Sequence, residues 1–106
     1  MIKHEKVIII KIIIDYQVKS FKELFYNCNY IESIFFKKFY RNNITNMHYM
    51  FCGCSSLKEL NLNNFNTNNV INMNSMFSEC LDELKLKIKS QFKNFKEEAF
   101  KNFNIY

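Results

Sequence analysis

The side chains in this 106-residue chain best suited to metal or thiol chemistry are four cysteines and two histidines. Cys52-Gly53-Cys54 sets two thiols close together, as one half of a four-ligand zinc site would. No second closely spaced pair completes such a set. Cys28 and Cys80 instead lie 26 residues to either side of Cys54. Three fates are open to these thiols: a buried ladder of small apolar groups, a disulfide between neighbouring units, or zinc. Their even spacing favours the first. Nucleophilic or acid–base catalysis needs a base oriented by a third group. His4 and His48 stand in no motif, the aspartates are Asp15 and Asp82, and no glycine-rich loop is present. The sequence therefore predicts a non-enzymatic protein with no cofactor, no metal site and no catalytic residue.

The cysteines belong to a longer period. Phe25, Phe51 and Phe77 precede them by three residues, and Leu24, Met50 and Met76 stand just before. Phe21, Met47 and Met73 correspond, as do Val18, Ile44 and Val70. Downstream, Leu57-x-x-Leu60-x-Leu62-x-x-Phe65 matches Ile31-x-x-Ile34-x-Phe36-x-x-Phe39. Cys52 matches Tyr26 and Ser78, so that position varies. Within a unit, Val70, Met73, Met76 and Phe77 fit one face of a short helix. Leu60 and Leu62 alternate as a strand with one inward face would. The asparagines between them suit a turn. A lone unit cannot bury its apolar side, so units must pack on one another. The expectation is an α/β fold: a short leucine-rich-repeat-like solenoid of about three 26-residue strand–turn–helix units, with an N-terminal β cap and a C-terminal amphipathic helix cap.

The stretch from Met50 to Phe77, MFCGCSSLKELNLNNFNTNNVINMNSMF, resembles the BspA-type leucine-rich repeat family. The likeness is near-complete from Ile44 to Cys80 and good from Val18. It implies an α/β solenoid used in surface proteins for adhesion or protein interaction, with no chemistry of its own. Longer members carry more than the three units found here.

In one chain of 106 residues there is room for one small domain. We divide it into an N-terminal β cap (1–17), the repeats (18–80) and a C-terminal helical cap (81–106). Leu81, Leu84, Ile88, Phe92, Phe95, Ala99 and Phe103 form a helical stripe, so a helix is expected from about Asp82 to Phe100. The residues free to vary on the strand side are the expected protein-binding face: Glu32, Ser33, Phe35 and Lys37 in one unit, and Lys58, Glu59, Asn61 and Asn63 in the next. Phe35 is the natural anchor, because aromatic residues concentrate binding energy.

The formal charge is +5, carried mainly by lysines of the tail with glutamates interleaved, as on a solvated helix face. The chain is asparagine-rich, and Arg41 is its one arginine. That skew toward residues with A- and T-rich codons strips the raw counts of functional meaning. No segment reaches the roughly 18 apolar residues that span a bilayer. The run from Val7 to Ile14 is broken by Lys11 and followed by no small-residue cleavage site. That argues against a leader and for the cytoplasm, whereas the resemblance argues for the cell surface, which leaves the localisation undecided. The leading expectation is a module that binds a protein partner or associates end to end with itself. The alternatives are a nucleic-acid or anionic-surface binder using the lysine-rich helix, and a fragment of a larger surface protein with no separate function.

Overall fold

The recurring apolar residues turn inward together. In the computed structural model, which describes residues 18–36, 43–62 and 66–102, Phe21, Met47 and Met73 are buried, as are Phe25, Phe51 and Phe77. They share one core with Cys54 and Cys80. Phe25 stacks on Phe51 at 5.5 Å between ring centroids and Phe51 on Phe77 at 5.5 Å, the planes within 4° of parallel. Phe36 meets the first two rings edge-on at 6.2 Å. Edge-to-face and offset rings satisfy the positive rim and negative face of the aromatic quadrupole.

The segments that carry these residues are not helices. Residues 22–27, 48–53 and 74–79 are runs of turns. In each run an amide bonds three residues back: Leu24 N–H to Phe21 O at 3.1 Å, Met50 to Met47 at 3.2 Å, Met76 to Met73 at 3.2 Å. Glu23, Asn27, Tyr49, Gly53, Ser75 and Glu79 all have φ between 53° and 79°. A left-handed residue at every fourth position is incompatible with a continuous right-handed helix. The intervening amides reach sideways to the neighbouring run: Phe25 N–H to Met50 O at 2.8 Å, Phe51 N–H to Met76 O at 2.9 Å. Ser20, Asn46 and Asn72 start the three runs alike, each side-chain oxygen accepting the N–H two residues on, at 2.9–3.1 Å. Such local bonding favours turns over helix.

Gly53 shows which constraint acts at that corner. Asn27 and Glu79, at equivalent positions, adopt the same left-handed φ with side chains. What Gly53 supplies is room, because a Cβ there would fall on Asn27 Oδ1 and crowd its Cα at 3.2 Å.

Strand β1 (Ser33–Phe35) pairs in parallel with β2 (Glu59–Asn61), in the register Ser33↔Glu59, Ile34↔Leu60, Phe35↔Asn61. Ile34 and Leu60 point into the core, and their neighbours point out. Parallel bridges Ser20↔Asn46 and Asn46↔Asn72 join the turn runs at their starts.

The expected solenoid is corrected by these observations. Among the described residues there is one two-stranded sheet, one α-helix and one short 3-10 helix, gathered into a small globule, and there is no series of strand–turn–helix units. The 26-residue spacing expresses a sideways register between turns. Paired turns and a two-turn helix bring the same residues to one side, which is why the apolar pattern alone suggested helices. The N-terminal β cap falls at 1–17, outside the described residues.

Helix α1 spans Asp82–Gln91, stopping well short of Phe100. Asp82 and Glu83 sit in its first turn and Lys89 in its last, each sign suited to the nearby end of the helix dipole. Leu84 and Ile88 are its buried residues. Past Gln91 the backbone extends at Phe92, Phe95 meets Phe77 edge-on at 5.6 Å, and a 3-10 helix forms over Glu97–Ala99. The break answers a hydrogen-bonding demand. Ser75 and Phe77 present N–H groups to this side, and Glu98 O and Ala99 O accept them at 2.9 and 2.8 Å. A helix running on through these residues would have engaged those carbonyls in its own bonds. Phe100 then stacks on Phe77 at 5.3 Å and extends the row of rings.

Candidate functional site

The register of β1 and β2 sets Phe35 beside Asn61 and Ser33 beside Glu59 on the outward face. Helix α1 flanks that face, and a groove of about 550 Å³ opens between them. Phe35, Lys58, Glu59 and Asn61 line it from the strands, with Leu84, Lys87, Ile88, Gln91 and Phe92 on the other side. The volume falls within the roughly 300–1,000 Å³ usual for ligand clefts. Phe35 is 65% exposed, too much for a ring held by the core.

The remaining expected face residues divide. Glu32 is exposed and pairs with Lys58 at 3.4 Å, an open contact whose worth is about 0.2–1 kcal/mol. Its carbonyl also receives Lys58 N–H at 2.8 Å and Glu59 N–H at 3.1 Å. Ser33 lies on the outward face but not in the groove. Lys37 and Asn63 lie outside the described residues. The sequence did not point to the α1 wall, Lys87 and Gln91 above all. The Leu84–Ile88 stripe foretold a helix but not its place beside β2.

The thiols are built into the core. Cys54 Sγ donates to Phe25 O at 3.2 Å and Cys80 Sγ to Phe51 O at 3.1 Å. Burial pushes both up to about 12, far from the thiolate that metal binding or nucleophilic attack requires. Burial also raises Cys52. All four cysteines are free thiols. Among the described residues, no three His, Cys, Asp or Glu side chains gather where they could hold a metal ion. His48 lies against Tyr49 at 3.7 Å between centroids. Its Nδ1 is buried with no hydrogen-bond partner among the described residues, so no carboxylate orients the ring through that nitrogen. A second hollow, of about 540 Å³, is lined by Lys19, Thr45, Ile71 and a set of asparagines, and no acid–base pair faces it.

The groove, the turn runs and the tail all fall within residues 16–105, the span matched by the model of a family described as Mycoplasma protein of unknown function, DUF285. The chain belongs to the DUF285 family. No curated protein and no solved structure matches it. Among the described residues of this DUF285 chain, no helix is long and apolar enough to cross a membrane.

Proposed function

We propose that the chain is a non-enzymatic protein-interaction module that receives its partner on the outward strand face, in the groove beside α1. The observation that carries this reading is Phe35, a large ring left 65% exposed at the edge of a cleft. A ring of that kind is worth most when a partner takes it out of water. The resemblance of Met50–Phe77 to BspA-type repeats supports the same reading and adds a relation to surface adhesion proteins. The lysine-rich helix is a weaker candidate for phosphate binding. Lys85 Nζ donates to Asn102 Oδ1 at 3.0 Å, and Lys89 holds Glu97 at 3.1 Å and lies 4.9 Å over the Phe100 ring. Those two cations are engaged within the molecule.

The test is a selection of displayed random peptides on the purified chain. Selected peptides should lose about tenfold or more in affinity to Phe35→Ala and less to Lys58→Ala, while the far-UV circular dichroism stays unchanged. Peptides that bind the wild type and Phe35→Ala equally well would sink the proposal.

A further inference from the structure

Strand β2 is paired on one side. Glu59 N–H donates to Glu32 O, so its main chain faces β1. In a parallel ladder the next residue faces the opposite way, which turns the N–H and C=O of Leu60 away from β1 and toward the groove that α1 closes. No hydrogen bond joins α1 to Leu60 among the described residues, since the interior amides and carbonyls of a helix bond within its own turns. Charge is also held in reserve there. The ion pairs among the described residues are Lys58–Glu32 and Lys89–Glu97, and Glu59 and Lys87, both lining the groove, take part in neither. Lys58 is already held by Glu32, so Lys87, on the α1 wall, is the lining cation with no ion-pair partner among the described residues. A peptide strand fits this combination: main chain for Leu60, apolar side chains for Phe35 and Phe92, and negative charge for Lys87.

We infer that the groove takes an extended acidic peptide of a partner protein, added to the edge of β2 at Leu60 as a third strand between β2 and α1. This rests on the interaction reading above and names the partner's chemistry. Strand addition draws affinity from main-chain bonds and specificity from alternate side chains. Among the described residues nothing takes the third position in the sheet, because the residues that would continue the 26-residue register beyond β2, around Leu86, fold into α1 instead.

Three dye-labelled, end-capped octapeptides test the inference by fluorescence polarisation: alternating Val and Glu, the same with N-methyl groups on alternate amides, and alternating Val and Lys. The Val–Glu peptide should bind and should slow amide exchange at Leu60. N-methylation should weaken it about tenfold or more through lost hydrogen bonds. Lys87→Glu should weaken it about fivefold while improving the Val–Lys peptide. Equal binding by the N-methylated peptide, or an unchanged Leu60 exchange rate, overturns strand addition and leaves the interaction reading standing. If none of the three peptides binds, the inference fails, and the Phe35-dependent selection then decides the interaction reading separately.

Discussion

At the scale of single residues, the cysteines show how a reactive group is made inert by position. Their spacing in the sequence marked Cys28, Cys54 and Cys80 as equivalent, and Cys54 and Cys80 do occupy equivalent buried places, each giving its S–H to a carbonyl of the preceding turn run. Cys52 was legible as a variable position, yet it too is buried. Nothing in its one-residue neighbourhood announced that. The thiols carry a pH signature. Burial raises Cys54 and Cys80 from the ordinary 9.0 to about 12, so the folded chain holds protons that the unfolded chain has released. Their contribution to stability is full below about pH 9 and is lost as pH rises toward 12. The urea midpoint should therefore fall between pH 8 and about pH 10.5, and should fall less in the Cys54→Ser, Cys80→Ser double variant. An equal fall in both proteins would assign the loss to other titrating groups.

At the scale of elements, the C-terminal region was half legible. The stripe Leu84, Ile88, Phe92, Phe95 predicts one long helix, and α1 honours it as far as Gln91. Beyond that point the same phenylalanines serve the core from a bent chain, because the amides of Ser75 and Phe77 need acceptors. Periodicity counts apolar faces and is blind to where another segment's hydrogen bonds must end. Phe100 is the pivot of this arrangement, stacked on Phe77 and 6% exposed. Phe100→Ala should cost about 3–5 kcal/mol in urea denaturation. Leu86→Ala, on the exposed side of α1, should stay within about 0.5 kcal/mol. A Phe100→Ala loss no larger than that of Leu86→Ala would mean that the ring does not close the core.

At the scale of the whole molecule, stability rests on closing the last turn run. The N–H groups of Ser75, Phe77 and Glu79 end on Glu98 O, Ala99 O and Asn102 Oδ1. Ending the chain after Phe95 would strip all three acceptors together with Phe100. Of these donors Phe77 is the buried one, and leaving it without a partner costs about 1–3 kcal/mol; with about 3–5 kcal/mol for the lost ring, that reaches the lower part of the roughly 5–15 kcal/mol by which small domains are stable. The shortened chain should show no cooperative urea transition by circular dichroism. A sharp transition at the full-length midpoint would show that residues 96–102 are dispensable. Lys85 and Lys89 take part in the same closure, holding Asn102 and Glu97 of the closing segment.

The sequence by itself determined which residues are equivalent and marked most of those that are buried. Side chains repeated every 26 positions turn the same way, because apolar residues gain by leaving water together: Phe25, Phe51 and Phe77 are all buried, whereas Cys28 at the first turn run is half-buried where Cys54 and Cys80 are buried. It also determined that Phe35 stands outside that inward set, because Ile34 and Phe36 on either side carry the pattern. Only the tertiary structure decided how the equivalence is expressed. Left-handed residues at Glu23, Tyr49 and Ser75 turn would-be helices into turns bonded sideways, and such a conformation is settled by neighbouring backbones more than by local propensity. The structure alone also placed α1 beside β2, across the groove. That placement makes a groove from residues far apart in sequence, since Leu84 and Ile88 were specified only to be buried and could have packed anywhere along the core.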